Sequence, residues 1–205
     1  MTRLSLVNVV LVLAGFGITA AVFPQLPQQV PIHWNASGVI DGWSGRGFSF
    51  LMPAVSAGIL GLFFAIRLKH TSWPYVRDRM SLALITHFLL IQGAILAASL
   101  GQPWDMIRLI SVSSGILFAV FGNFMGKIEQ NGWVGIRTPW TLKDIEVWRR
   151  THRLGGYLFL AAGLGSIALG GTFGTIWPLL VGIAVAAVVP VVMSYVWFQQ
   201  LHPTR

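Results

Sequence analysis

The chain has 205 residues, of which 55% are hydrophobic and only 10% charged, with a mean hydropathy of +0.71. A water-soluble domain carries about 25% charge, so the composition excludes an ordinary soluble globule and points to membrane helices. The net charge of +8 would elsewhere suggest nucleic acid; in so apolar a chain it reads as a topology signal, and no direct nucleic-acid binding is expected.

Crossing about 30 Å of hydrocarbon takes about 20 apolar residues. Six stretches qualify in chain order: Leu4–Phe23, Phe48–Leu68, Ser81–Leu100, Met106–Met125, Tyr157–Phe173 and Ile176–Phe198. The first is longer than the hydrophobic region of a signal peptide and is kept as a span. With the N-terminus in the cytoplasm, the inner segments hold Arg3, Arg67, Lys69, Arg77, Arg79, Lys127, Arg137, Lys143, Arg149, Arg150, Arg153 and Arg205. Only Arg46 and Arg108 fall outside, so the positive-inside rule selects an N-in, C-in arrangement. The expected fold is all-α: one integral-membrane domain over residues 1–205, a six-helix polytopic bundle. Gly101-Gln-Pro103 and Gly174-Thr175 mark tight turns, so helices three and four, and five and six, pack as antiparallel neighbours.

Two long connections remain. The outer one, Pro24–Gly47, has Pro24, Pro27 and Pro31, which impose extended backbone. His33, Trp34, Asn35, Gly38, Asp41, Gly42 and Trp43 follow, with a turn at Asn35-Ala-Ser-Gly38. An ordered loop folded back on the bundle is expected. Its sharp reading is a ligand or metal site at His33, Asn35 and Asp41; its plain reading is that His33 and Asp41 tie the loop to itself. One histidine and one carboxylate are too few for a metal, so neither metal nor cofactor is expected.

The inner connection, Gly126–Gly156, is the longest polar interval in the chain. Asn131-Gly132 signals a turn, and Gly135-Ile-Arg137-Thr138-Pro139-Trp140-Thr141 leads into a helix with Thr141 as N-cap and Asp144 three residues on. On a helical wheel Leu142, Ile145, Trp148 and His152 share one face, opposite Lys143, Glu146, Arg150 and Arg153. That pattern predicts a helix lying flat at the cytoplasmic interface. Arg137, fixed between Gly135 and Thr138-Pro139 and flanked by Trp133 and Trp140, either binds an anionic headgroup or carboxylate, or pins the loop to helix-end carbonyls near Asn123.

Within the spans, Ala162, Ser166 and Gly170 recur every four residues and Gly122 and Gly126 form a small-xxx-small pair, both suited to close helix packing. His87 and Gln92 are the polar side chains at depth in helix three. They mark either a proton or ion path or an imidazole and an amide bonded to neighbouring helices. The absence of cysteine removes thiolate chemistry, and no hydrolase, zinc or phosphate-loop motif occurs, so no catalytic residue is nominated.

Pro31-Ile-His33-Trp34-Asn35-Ala-Ser-Gly38, with Asp41-Gly42, resembles the outer-loop motif of a bacterial membrane family of otherwise unknown function. Gly122-Asn123, Gly126-Lys127, Asn131, Gly135-Ile-Arg137-Thr138-Pro139-Trp140-Thr141-Leu142, Trp148 and Thr151-His152-Arg153 resemble the SdpI family. Both motifs occur there in this order, so the resemblance spans nearly the whole chain. It implies a protein of the bacterial cytoplasmic membrane, surrounded by its lipids, that confers immunity to, or senses, a secreted antimicrobial peptide. It also implies a cytoplasmic transcriptional repressor as partner. Carried across, His33, Trp34, Asn35, Gly38 and Asp41 face the peptide. Asn123, Asn131, Gly135, Arg137, Thr138, Trp140, Trp148 and His152 face ligand or partner inside. Two further readings stay open: a small transporter or channel with a polar path near His87 and Gln92, and a membrane-embedded enzyme at the inner interface using Arg137 and His152.

Overall fold

The computed structural model describes residues 2–66, 68, 72–102 and 104–203. Arg67, Lys69 and Arg205 of the topology count, and Pro103 of the third connection, lie outside the described residues. Six helices are long and apolar enough to cross a membrane, and the only sheet among the described residues is one small hairpin. The helices are α1 (Arg3–Val22), α2 (Leu51–Ala65), α3 (Trp73–Ser99), α4 (Met106–Met125), a short α5 (Pro139–Lys143), α6 (Ile145–Gly165) and a final α7 (Trp177–Leu201). α6 continues through a π turn at Ser166–Gly170 to Phe173.

Two boundaries depart from the sequence reading. α3 begins at Trp73, with Pro74 in its first turn, where a missing N–H costs nothing. The apolar count started at Ser81 because Arg77, Asp78 and Arg79 interrupt it. Those charges are accommodated: Asp78 is buried, paired with Arg77 at 2.7 Å, and accepts hydrogen bonds from Thr2 and Ser5 of the α1 N-terminus. Asn8 donates to the Asp78 carbonyl and to Ser81, so a polar knot joins α1 to α3.

The second departure concerns the predicted interfacial helix. From Ile145 onward its residues form the first turns of α6 and run without a break into the fifth span, giving one helix from Ile145 to Phe173, about 43 Å long, whereas Leu142 and Lys143 belong to the separate α5. Gly155-Gly156 looked like a helix end but marks close packing. A Cβ on Gly156 would lie 2.8 Å from the Gly122 carbonyl, and one on Gly122 would lie 2.6 Å from the Gly156 carbonyl. Seven residues along each helix, Gly115 and Gly163 repeat the pairing in the antiparallel sense, with a Gly115 Cβ 2.7 Å from the Gly163 carbonyl. Backbones this close gain dispersion contacts that side chains would forbid. Ser166 adds a 2.8 Å bond to the Ser111 carbonyl, while Gly126 meets open space, so the true partner of Gly122 is on the facing helix.

The clusters fix the ends of the bundle. Val76, Met80, Phe124, Ile128 and Trp148 pack the start of α3 against the end of α4 and the start of α6. Leu26, Val30 and Leu96 pack the outer loop on the other end of α3. The two polar connections therefore sit at opposite ends of the bundle, some twenty α3 residues or about 30 Å apart.

Candidate functional site

The outer connection is a β-hairpin. β1 (Gln29–Trp34) pairs antiparallel with β2 (Ile40–Gly45), with irregular register around His33. The prolines favour extended backbone, as expected, but the segment pairs into a sheet. Asn35 builds the turn: its side-chain oxygen accepts from the N–H groups of Ser37 and Val39 at 2.9 and 3.0 Å. Gly38 adopts φ +78°, a left-handed conformation that suits glycine. His33 Nδ1 and the Asp41 carboxylate pair across the strands. Trp34 packs with Ala94, Ile95 and Met106, fastening the hairpin to α3 and α4. Along β2, Asp41, Trp43 and Gly45 are exposed while the alternate residues are half-buried. His33, Asp41 and Trp43 thus remain on the open surface, whereas Asn35 and Gly38 shape the turn.

The inner connection is knitted more tightly. Asn131 is its hub: its oxygen accepts from the N–H groups of Trp133 and Val134, both at 2.8 Å, and its amide donates to the carbonyls of Glu129 and Val134. Arg137 donates to the Gly132 carbonyl, so it pins the loop to itself, not to a helix end near Asn123. The helix start is three residues earlier than the sequence reading placed it. Thr138 caps α5 in a capping box closed by Thr141. Asp144 then caps α6, accepting from Glu146 N–H at 2.7 Å and Val147 N–H at 3.0 Å. Its carboxyl is held below the usual carboxylate range, first by the Val147 N–H and then by His202 at 2.9 Å.

Trp148 and His152 are each 1% exposed, on the buried face with Val147 and Thr151. The rings stack with centroids 4.0 Å apart. Trp148 donates to the Ile128 carbonyl at 2.8 Å. His152 bonds through both nitrogens: Nδ1 donates to the Trp148 carbonyl at 2.9 Å, and Nε2 accepts the Ile136 N–H at 3.0 Å. This assignment is the neutral tautomer that satisfies both partners. Leu142 and Ile145, predicted on the same apolar face, are 46% and 53% exposed. The helix face turns into the bundle because Trp148 and His152 hold the loop, not because it floats on lipid. Trp140 reaches α7, donating to Ser194 and packing edge-on against Tyr195.

Gly135, Trp148 and His152 thus converge, Asn131 and Arg137 meet through Gly132, and Thr138 and Trp140 serve the α5 junction. Arg137 bonds the Gly132 carbonyl, and both ring nitrogens of His152 are engaged within the loop and helix. Asn123 is exposed and lines a groove of about 190 Å³ with Arg153, Gly122 and Gly156. A second depression of about 390 Å³ is lined by Lys127, Glu129, Trp148 and Arg149. The inner connection therefore presents Lys127, Arg149 and Arg153 beside an ordered loop.

At depth, Gln92 donates to Thr19 at 3.0 Å and to the Ser49 carbonyl at 2.7 Å, joining α1 to α3. His87 faces α4 instead. The two residues thus meet different neighbours. Sequence reading missed the Asp78 knot, although Ser5 and Asn8 at helical spacing in an otherwise apolar α1 were its signal.

The family model for the SdpI/YfhL protein family matches residues 127–194, and one for a domain of unknown function (DUF1648) matches residues 10–57. The chain is also similar to the immunity protein SdpI of Bacillus subtilis (strain 168), with 26% identity over 208 residues, covering 98% of this chain and 99% of the relative. No solved structure matches.

Proposed function

The chain belongs to the SdpI family, as a multi-pass protein of the bacterial cytoplasmic membrane, and from that premise we propose that it protects the membrane against a membrane-active antimicrobial peptide by sensing it at the outer hairpin. The observation that carries the reading is correspondence with an immunity protein along nearly its entire length, outer hairpin and inner loop included. The arrangement is N-in and C-in, with the hairpin outside and residues 126–144 inside.

The hairpin suits this role because its exposed face joins an ionisable pair, His33 and Asp41, to an exposed indole, Trp43. A peptide that partitions into membranes carries apolar and charged groups together, and tryptophan favours the interface where such a peptide first binds. On the inner side, Arg137, Lys143 and Arg149 are exposed on a rigid loop and helix start. They are the surface through which a cytoplasmic repressor is engaged when peptide is bound. The action is binding and relay, without a chemical step.

The test is expression in a peptide-sensitive bacterium, challenged with a panel of membrane-depolarising peptides while a voltage-sensitive dye reports the membrane potential. Cells carrying the protein hold their potential against at least one peptide at doses that depolarise vector controls. Equal depolarisation across the panel, with the protein present in the membrane, contradicts the reading.

A further inference from the structure

A slot of about 390 Å³ opens between α3 and α4. It runs from Arg79 to Leu90 on α3 and from Phe124 back to Ser113 on α4, about 16 Å along each helix. Its outer end is closed, because Ala94 and Ile95 of α3 pack on Met106 of α4 with Ile91 and Leu109 against them. Its cytoplasmic end is open and carries charge. The Arg79 guanidinium is held over the Tyr75 ring at 3.6 Å, and the Lys127 ammonium lies 5.9 Å from the same ring and 4.8 Å from that of Phe124. Tyr75 meets Phe124 edge-on, so both cations gather on one aromatic pair at the mouth. Among the described residues neither Arg79 nor Lys127 makes an ion pair. Asp78 is taken up by Arg77, and Glu129 accepts from Ser72 at 3.0 Å.

We propose that this slot binds one anionic phospholipid of the cytoplasmic leaflet, its phosphate held by Arg79 and Lys127 and one acyl chain lying along α3 and α4. Length selects the occupant first. Half of a ~30 Å hydrocarbon core is about 15 Å, the depth that one leaflet's chains fill, and the slot ends there. A crossing helix needs the full thickness, which the packing of Ala94 and Ile95 on Met106 denies it. Lining selects against a ligand with a polar group at depth. The walls are nearly all hydrocarbon, and the unbonded His87 Nδ1 and Ser113 Oγ are covered from the slot. Leu90 and Ile116, which line it, are exposed to the surrounding lipid, so a chain enters sideways without crossing water. Charge selects the headgroup: a guanidinium fork and an ammonium, both without a carboxylate, match a phosphodiester at the edge of the hydrocarbon. A groove of about 340 Å³ between α1 and α2 supplies the contrast. Val9, Val12, Leu60 and Phe64 line it, and the cation over Phe64, Arg77, is already neutralised by Asp78 at 2.7 Å.

The probe is dioleoyl phosphatidylglycerol, titrated against the purified full-length protein in detergent and followed by native mass spectrometry. Dioleoyl phosphatidylcholine, oleate, inorganic phosphate and a polyleucine helix with an acidic terminus are the competitors. The first phosphatidylglycerol is expected to bind about tenfold tighter than phosphatidylcholine, and Arg79→Gln and Lys127→Gln each weaken it about fivefold. Both variants leave phosphatidylcholine binding and the thermal stability of the lipid-free protein unchanged. Arg153→Gln, an equal loss of charge outside the slot, and Gly61→Phe, in the contrasting groove, leave the first phosphatidylglycerol bound as before. Ala83→Phe fills the slot and weakens both lipids; should that variant fail to fold, the charge variants decide alone. The proposal is overturned if the two phospholipids bind equally, if either Arg79→Gln or Lys127→Gln leaves phosphatidylglycerol binding unchanged, or if Arg153→Gln weakens it as much. It is equally overturned if oleate, inorganic phosphate or the helix displaces phosphatidylglycerol at equal concentration.

Discussion

Gly135 lies directly against His152. With φ +119°, its backbone brings the next N–H, that of Ile136, to 3.0 Å from His152 Nε2, and a Cβ at Gly135 would overlap that nitrogen and stand 3.1 Å from the Trp148 ring. This glycine thereby lets the Gly135–Ile136 segment of the inner loop dock on the fifth spanning helix.

Gly135→Ala is therefore expected to destabilise the docked loop by about 2 kcal/mol, from left-handed strain with steric overlap added. Limited proteolysis of the purified protein, directed at residues 127–144, checks this: the variant is cut faster there while the rest of the bundle stays protected. His152→Ala gives the same pattern, since it strands the Ile136 N–H and removes the ring stacked on Trp148.

The glycine seam between α4 and α6 makes a paired prediction. Gly122→Leu drives its side chain into the Gly156 carbonyl and the Leu160 backbone, whereas Gly126→Leu enters open space. The first lowers stability by roughly 1–3 kcal/mol or more, as overpacking does, and the second by well under 1 kcal/mol. Thermal unfolding in detergent, followed by tryptophan fluorescence, separates them.

Asp144 sets a pH dependence. Its folded-state pKa lies below the ordinary value of 3.8, so the fold favours the carboxylate. The stabilisation is present above the unfolded pKa and is lost as pH falls through the folded one. The hydrogen-exchange protection factor at the first turn of α6, taken relative to the intrinsic rate at each pH, should be high at neutral pH and should fall below about pH 4. Asp144→Asn, which removes the titration and costs up to about 1 kcal/mol as a weakened cap, makes that protection factor independent of pH over the same range.

Trp43 is the hairpin residue to remove for a functional effect. It is 54% exposed, so Trp43→Ser leaves folding and membrane abundance unchanged while peptide protection in the depolarisation assay falls. Trp34→Ala, by contrast, loosens the hairpin from α3 and α4 and lowers stability by about 2 kcal/mol through lost burial.

Hydrocarbon length made the spans legible, because about 20 apolar residues form a signal no soluble element imitates. The Asn35 turn and the His33–Asp41 tie were legible for a similar reason: each is a local interaction between residues close in sequence. What escaped depended on distance. Gly156 looks like a helix end until Gly122 is opposite it, and Asp78 looks like loop until Thr2, Ser5 and Asn8 surround it. Trp148 and His152 carry an amphipathic pattern that fits an interface or a bundle equally well. The choice is made by Ile128 and Ile136, far enough along the chain that periodicity cannot see them.

The account rests on the hairpin and the inner loop facing opposite sides of the membrane. Because the chain has no native cysteine, single substitutions report sidedness without background. Ser37→Cys and Lys143→Cys are labelled in intact cells with a membrane-impermeant maleimide. Cys at 37 is expected to react in intact cells and Cys at 143 only after permeabilisation; equal labelling of both from one side would contradict the assignment of sensing outside and relay inside.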